Sequence, residues 1–502
     1  MAEVMAQRYR QLTAALFVFL VVHAVAMVVM PVLVAPGLDT QADVTTRMAY
    51  VAAHPWRWRL GWLPWQACAV SDVLLAIALV RWRSSAWNWL GLAFTALAVI
   101  PDQWGEWLMT TELIELAQSG SSAAYLELEA RTLLFTGACG NTTYVLMTLC
   151  WMLAIAKAAP TKSRPQLWIG AISLLGFTGS GWFCYQATRD PSSYPGYGLA
   201  GLFAGVGFVL LLVWTCAAAI AIAEDEPLQH ASHDLVWPTG SRGGGLAAIL
   251  AHPGLRDLFR FLPFVALRSE VTDVVYLNWM VPIEKVRSWL PKPLEPHTFG
   301  DYTVLSILTY RHGSFGPSLM GPLRRVLASP LQSNWRLYLE PVDGRQDAVY
   351  FFKTVLSSAP LVVASRLLAD GLPAHYAATF VHKHGDAIVT EVRSAGGSAP
   401  DLKSTVSLQD CEALPGPFAE HFASWNEAVT YLVEQSRAVV PVHRRGRMIE
   451  SRIDIPIAVG DVVPASATVK STFLAEVIGD AEVFAFVVPA VDFRALGEGT
   501  LP

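Results

Sequence analysis

Long apolar runs dominate the first half of the chain and stop near residue 225. Six of them are about long enough to cross the hydrocarbon core of a membrane, which takes roughly 20 helical residues. They cover residues 11–33, 60–80, 87–108, 133–156, 167–186 and 198–223. The pattern predicts an α-helical transmembrane bundle of about six helices over residues 1–223, with the lipid bilayer as its surroundings.

Positive charges in the short connections predict the orientation of these helices. Lys and Arg concentrate in cytoplasmic loops, and here they lie before the first segment and after the second and fourth: Arg8, Arg10, Arg81, Arg83 and Lys157. Six crossings would then leave both chain termini in the cytoplasm at the cell membrane. Five crossings would place the second half of the chain outside. Arg47, in the first external connection, runs against the pattern, and Arg57 and Arg59 beside it weaken the case as well.

The second half has a different pattern. Residues 224–247 are polar and contain Pro and Gly, which predicts a linker ahead of a domain over residues 248–502. Within it, residues 246–264 fit either an amphipathic helix on the membrane surface or the first helix of the domain. Short runs rich in Val, Tyr, Phe, Thr and Ile then predict strands at 302–310, 335–339, 348–356, 376–381, 387–392 and 482–488. Helices are predicted at 282–289, 361–368 and 425–435.

One predicted strand alternates with unusual regularity. Asn334, Arg336 and Tyr338 share one face, and the residues between them are large and apolar. The polar face is compatible with solvent or with a cavity inside a barrel-like sheet. The spacing alone leaves both open.

Composition supports the division and excludes some functions. The chain is 53% apolar, and only about a third of its charged residues precede Pro227. A net charge of -5 without a long basic run argues against a nucleic-acid partner. His382 and His384 have a spacing that suits a metal on a strand but lack a nearby third ligand, so no metal site is expected. The basic residues at 443–447 fit either lipid headgroups or an ordinary surface.

Three carboxylates lie within the predicted transmembrane segments. Asp72 is near the middle of the second segment, and Asp102 and Glu106 are four residues apart on the third. Ionisable groups in hydrocarbon are costly and usually have a partner or a wet cavity. They fit either a proton or ion path, or local hydrogen bonds between helices.

Several motifs in the second half resemble a known family. The run from Val275 to Pro282, Asn334-x-Arg336-x-Tyr338, and Ala364-Ser365-Arg366 ahead of Leu372-Pro373-x-x-Tyr376 resemble the uncharacterised YqjF-like proteins, whose fold is similar to acetoacetate decarboxylase. The resemblance, which includes Arg393-Ser394, spans about residues 265–455. It implies a mostly antiparallel β (α+β) domain around a central cavity. The ligand-binding candidates are Asn334, Arg336, Tyr338, Arg366, Tyr376 and Arg393.

The resemblance also shows a departure. Acetoacetate decarboxylase forms a Schiff base through a lysine beside a second lysine, and here Ala374 and His375 stand at the matching positions. Without that amine, a decarboxylase of this mechanism is not expected. His375 is a candidate general base, or a packing residue.

These observations predict a multi-pass membrane protein with a cytoplasmic domain that binds a small anionic or apolar molecule. No cofactor is expected. One alternative is an enzyme acting on a ketoacid-like or lipid-derived substrate. Another is a transporter that uses Asp72 and is regulated by the soluble domain.

Overall fold

The computed structural model describes residues 2–38, 43–160, 163–189, 194–225, 235–239, 244–341, 344, 347–441 and 448–501. The chain divides into two compact units. The helical unit comprises Met1–Glu226 and Asp257–Phe261, and the β unit comprises Pro227–Arg256 and Leu262–Pro502. The basic run at 443–447 and much of the expected linker lie outside the described residues.

All six predicted transmembrane segments are helical. The helices of this unit are α1 (Ala2–Leu33), α2 (Val44–Ala53), α3 (Pro55–Trp82), α4 (Ala86–Thr110), α5 (Glu112–Ser119), α6 (Ser122–Leu133), α7 (Asn141–Ala158), α8 (Arg164–Arg189) and α9 (Tyr194–Asp225). A π-helical turn, Leu134–Gly140, joins α6 to α7 without a break. Most of these helices extend beyond the apolar runs, because polar residues at the ends continue the same backbone hydrogen bonding.

Five helices in the described part of the chain are long and apolar enough to span a membrane: Val4–Leu33, Pro55–Trp82, Ser122–Ala158, Arg164–Gln186 and Gly198–Ala223. The third predicted segment is the exception. It forms α4, whose 25 residues include Asn88, Asp102 and Gln103, and these lower its hydropathy. It still packs against α3 and α7 within the unit.

The arginine that runs against the charge pattern is buried. Arg47 on α2 contacts Glu129 on α6 at 2.7 Å between Nη2 and Oε2, and both side chains are 5% exposed. A buried arginine paired with a carboxylate carries little net charge to its surroundings. Arg47 therefore counts little against the charge pattern, whereas Arg57 and Arg59 beside the same connection are exposed.

The β unit contains twelve strands. They are β1 (Leu267–Pro282), β2 (Tyr302–Pro317), β3 (Leu331–Tyr338), β4 (Ala348–Leu356), β5 (His375–Tyr376), β6 (Thr379–His384), β7 (Ile388–Arg393), β8 (Leu402–Leu408), β9 (Arg437–Pro441), β10 (Met448–Asp454), β11 (Val463–Lys470) and β12 (Phe484–Thr500). The later helices are α10 (Gly244–Leu250), α11 (Pro253–Phe259), α12 (Ile283–Val286), α13 (Ala359–Leu368), α14 (Gly416–Ala419), α15 (Trp425–Val433) and α16 (Ala475–Ile478). The segment at 246–264 thus contains two short helices, of which α10 packs on α13.

Seven strands close into a barrel. They follow the order β1-β2-β3-β4-β9-β10-β12, and β12 pairs back onto β1 from Phe484 to Ala495. The strands β11, β8, β7 and β6 continue from the first part of β12 as a second layer. Pairing is antiparallel except where β4 meets β5 and β9. The prediction of a mostly antiparallel β domain with few helices is confirmed.

Along β3, β4 and the second half of β1, both faces of the barrel wall are buried, because each meets a different core. Leu277 and Trp335 point outward and pack with Ile388 of the second layer. Tyr276 and Phe486 point inward and pack in a core that includes α15. Burying each such side chain contributes roughly 1.5–3 kcal/mol. The alternation of β3 therefore separates two interiors, and neither of its faces meets bulk solvent.

Candidate functional site

The barrel encloses a cavity of about 90 Å³. A single water needs roughly 10–15 Å³ of such space, so the cavity has room for several waters or a small organic molecule. All seven barrel strands contribute to its lining, together with the loop at 369–372. Most of the lining is apolar, including Val271, Leu308 and Phe493.

The polar residues of the lining form two groups. The first, called the polar wall, lies on β1, β2 and β3 and consists of Tyr276, Tyr310, Gln332, Asn334 and Arg336. The second, called the loop wall, consists of Gly371, Ser451 and Glu498. An apolar space with a few convergent polar groups is typical of a small-molecule site.

Arg336 is the charged centre of the polar wall. Its side chain is 2% exposed, and Nη2 donates to the Tyr338 hydroxyl at 2.8 Å and to the Leu432 carbonyl at 2.7 Å. The guanidinium carbon lies 5.5 Å from the centre of the Tyr276 ring, close enough for a cation–π interaction. Nε has no hydrogen-bond partner within the described residues. The arrangement holds a buried cation whose hydrogen-bond partners are neutral groups.

A chain of hydrogen bonds orients the rest of the polar wall. It begins at His312, whose pKa burial lowers to about 4, against the opposing effect of the hydrogen bond with Gln332. The neutral ring therefore has one N–H, and Nε2 lies 2.8 Å from Gln332 Oε1, which can only accept. Nδ1 is then an acceptor 2.8 Å from the Ser269 hydroxyl, whose one hydrogen is shared between Nδ1 and the Gly313 carbonyl 3.1 Å away.

The chain of hydrogen bonds continues from Gln332 to the cavity, and each group donates to the next. Gln332 Nε2 donates to Asn334 Oδ1 at 2.8 Å, and Asn334 Nδ2 donates to the Tyr310 hydroxyl at 2.9 Å. That hydroxyl accepts from Asn334, and in the described part of the chain its own hydrogen has no acceptor. Burial raises the pKa of Tyr310, so the hydroxyl keeps this hydrogen. Tyr310 and Arg336 both line the cavity.

On the loop wall, Glu498 fixes the backbone of the loop. Its two carboxyl oxygens accept from the backbone N–H groups of Asp370 at 3.0 Å and Gly371 at 2.9 Å. Burial raises the pKa of Glu498, although these two hydrogen bonds act in the opposite direction. The loop is thus attached to β12 at the edge of the cavity.

Of the ligand-binding candidates from the sequence, Asn334 and Arg336 line the cavity. Tyr338 lies behind Arg336, where its ring stacks on Tyr431 at 5.0 Å between ring centres. Arg393 is exposed and paired with Glu391 on β7. The strand register brings the first three together and leaves Arg393 apart.

The remaining candidates form a separate cluster beneath residues 235–239. Arg366 donates to the carbonyls of Ala374 and Leu235 at 2.7 and 2.9 Å, and burial lowers its pKa to about 10. Tyr376 stacks on Trp237, and His375 Nδ1 lies 2.7 Å from the Ser398 hydroxyl. These side chains do not line the cavity, because β5 pairs with the far end of β4 at Val355 and Leu356.

The described residues contain no group of three His, Cys, Asp or Glu side chains that could hold a metal ion. His382 and His384 both contact Asp273, through its carbonyl at 2.8 Å and its carboxylate at 2.7 Å. They join the β6–β7 hairpin to β1. Ala374 packs beside Trp237 and Val362.

Four residues that are important to the cavity were not among the candidates from the sequence. Gln332 continues the alternation of Asn334 by two residues, and Tyr310 ends a predicted strand, so both carried a usable signal. His312 and Glu498 carried none, since their roles arise from contacts between strands distant in the chain.

A protein-family model matches part of the β unit. Residues 268–438 match the DUF2071 family, described as "Uncharacterized conserved protein (COG2071)", which confirms the resemblance to the YqjF-like proteins. A search of curated protein sequences returned no match.

Solved structures of acetoacetate decarboxylase-like enzymes are similar to about half of the chain. The enduracididine biosynthesis enzyme MppR is 13% identical over 48% of this chain and 89% of its own, with a TM-score of 0.34. An acetoacetate decarboxylase-like enzyme from Sphingomonas wittichii is 11% identical over 47% of this chain and 94% of its own, with a TM-score of 0.34. Acetoacetate decarboxylase from Legionella pneumophila is 9% identical over 47% of this chain and 87% of its own, with a TM-score of 0.33.

Proposed function

We propose that the β unit binds a small molecule that carries a carboxylate or another anionic acceptor group on an otherwise apolar body. The observation that supports this most directly is the buried guanidinium of Arg336, which lines the cavity and donates only to neutral groups, the Tyr338 hydroxyl and the Leu432 carbonyl. An uncompensated buried charge is costly, and an anionic ligand would compensate it.

The Tyr310 hydroxyl supports the same ligand class. The hydrogen-bond chain from His312 directs its hydrogen to the cavity, so a ligand oxygen could accept from Tyr310 and Arg336 together. Two donors that converge on one acceptor select oxygen over apolar groups. The apolar lining from Val271, Leu308 and Phe493 would then surround the rest of the ligand.

The ionisable groups in the described part of the cavity wall are suited to binding a ligand rather than to catalysing a reaction. Arg336 remains a cation, and Glu498 is occupied by two backbone N–H groups. His375, the candidate base, is hydrogen-bonded to Ser398 outside the cavity. These contacts favour binding over turnover as the role of the unit.

The test uses full-length protein purified in mild detergent and straight-chain monocarboxylates from acetate to octanoate, each compared with the alcohol of the same length. Binding is measured by saturation-transfer NMR competition. We expect one length to bind best and the carboxylate to exceed its alcohol by about 10–100-fold, since a hydrogen bond to a charged group contributes roughly 1.5–3 kcal/mol.

Arg336→Met should remove that preference while retaining the weak binding of the alcohol. Arg393→Met is the matched control, because it removes an exposed arginine outside the cavity. Equal binding of carboxylate and alcohol by the unaltered protein would contradict the proposal. So would a carboxylate preference that survives in Arg336→Met.

A further inference from the structure

A histidine and an aspartate face each other inside the helical unit. His23 lies on α1 and Asp72 on α3, with His23 Nε2 3.7 Å from Asp72 Oδ1. Their side chains are 4% and 5% exposed, and α1 and α3 pack along their length. Asp72 Oδ1 makes no hydrogen bond in the described part of the chain.

The backbone decides which nitrogen of His23 carries a hydrogen. Nδ1 lies 2.9 Å from the carbonyl oxygen of Phe19, one turn earlier on α1. A carbonyl can only accept, so Nδ1 carries the hydrogen and donates it. In a neutral imidazole, Nε2 is then a bare acceptor that faces Asp72.

His23 Nε2 and Asp72 Oδ1 can form a hydrogen bond only if one of them carries a proton. If Asp72 were ionised and His23 neutral, a lone pair on Nε2 would oppose a carboxylate oxygen in a buried site, which is unfavourable. One proton on either atom converts this repulsion into a hydrogen bond after a small side-chain rotation. The geometry thus favours a pair that holds one exchangeable proton.

The surroundings favour the neutral form of that pair. The Phe19 ring lies 4.0 Å from the imidazole centre and the Phe208 ring 6.2 Å from it. A separated imidazolium and carboxylate would both lose hydration there, whereas a carboxylic acid donating to a neutral imidazole would not carry charge. In these apolar surroundings the favoured state has the proton on Asp72 and a neutral imidazole on His23.

Other ionisable groups lie near Asp72, on α4, on α7 and on α3 itself. On α4, Asp102 lies within electrostatic range of Asp72, and Glu106 follows one turn later. Tyr144 on α7 donates to Asp102 at 2.9 Å, and Gln103 donates to Glu106 at 3.1 Å. Cys68 is one turn before Asp72 on α3, within range of all three carboxylates.

We propose that His23 and Asp72 form a proton-binding site within the helical unit, with the proton resting on Asp72. A proton is the ligand that fits, because the site presents one nitrogen and one oxygen, whereas a metal cation such as Na⁺ or Mg²⁺ prefers a larger set of oxygen ligands. This site is separate from the cavity of the β unit and does not depend on the function proposed for it.

Infrared spectroscopy of the full-length protein in lipid vesicles tests the site. The difference spectrum between the unaltered protein and Asp72→Asn at pH 7 should show the loss of one carboxylic-acid carbonyl band that shifts in D₂O. Loss of a carboxylate band instead, or no difference, would overturn the proposal.

A second variant keeps the test decisive if Asp72→Asn misfolds. His23→Leu removes the acceptor and keeps Asp72, so the acid band should remain and move to higher frequency. An unmoved band would show that His23 does not bind the proton of Asp72. Glu112→Gln, at an exposed position at the start of α5, is the control and should leave the acid band unchanged.

Discussion

Gly371 approaches Ser451 so closely that a β-carbon at residue 371 would lie 2.0 Å from the Ser451 hydroxyl oxygen. The same β-carbon would lie 2.8 Å from Glu498 Oε1. A side chain at this position must therefore displace the Ser451 hydroxyl and the Glu498 carboxylate, or the loop at 369–372 itself. The absence of a side chain at Gly371 allows the loop to approach β10 and β12 this closely.

Gly371→Ala should destabilise the β unit by about 1–3 kcal/mol through this overpacking. It should also weaken carboxylate binding, because the displaced loop lines the cavity. Gly416→Ala is the control, since a β-carbon there meets nothing within 4 Å. Urea unfolding of the full-length protein in detergent, followed by pulse proteolysis of the β unit, measures both variants. Equal midpoints would contradict the steric argument.

Arg437 joins β9 to two carboxylates in a buried ion-pair network. Its side chain is 2% exposed, with contacts to Asp347 at 2.5 Å and to Glu450 at 3.1 Å. Arg437→Met leaves both carboxylates without this partner and should cost about 3 kcal/mol. Arg268→Met breaks a more exposed pair with Asp492 and should cost less than about 1 kcal/mol. Urea-dependent hydrogen exchange of the affected strands would show whether the two losses differ in this order.

Acid should destabilise the β unit through His312. Its pKa in the folded protein is about 4, against 6.5 for an exposed histidine, so the unfolded chain binds the proton more readily. The contribution of neutral His312 to the free energy of unfolding is therefore complete above pH 6.5. It decreases by about 3 kcal/mol as the pH falls from 6.5 towards 4.

His312→Gln should flatten this dependence between pH 7 and pH 4, whereas a substitution at the exposed His421 should leave it unchanged. Unfolding midpoints at several pH values provide the comparison. A variant that loses stability with acid as steeply as the unaltered protein would exclude His312 as the responsible group.

The side of the membrane on which we expect the β unit depends on whether α4 crosses the membrane. With α4 included there are six crossings, and the unit lies in the cytoplasm if the amino terminus does. Cys411 is exposed in the β unit, so a membrane-impermeant maleimide should label it only after cells are permeabilised. Cys411→Ser identifies the labelled residue. Labelling in intact cells would instead indicate five crossings.

The sequence predicts the helices and strands better than it predicts which of their faces are enclosed by the fold. The apolar runs identify the long helices, and the alternation of β3 identifies Asn334 and Arg336 as neighbours on one face. Whether that face meets water depends on β12 pairing with β1, a contact between residues more than two hundred positions apart. No local pattern carries that information. The same is true of Glu498, which contacts the Gly371 backbone at the edge of the cavity, and of His23, which meets Asp72 only when α1 packs on α3.

The long strand β12 also has a consequence for biosynthesis. It pairs with β1, β10 and β11, so it supplies hydrogen bonds to both layers of the β unit. As the chain leaves the ribosome, β1 can form its hairpin with β2 early but must wait for residues 484–500 before its other edge is covered. Until then the barrel is an open sheet with an exposed edge and an apolar interior, and the nascent domain is most vulnerable to mispairing during this interval.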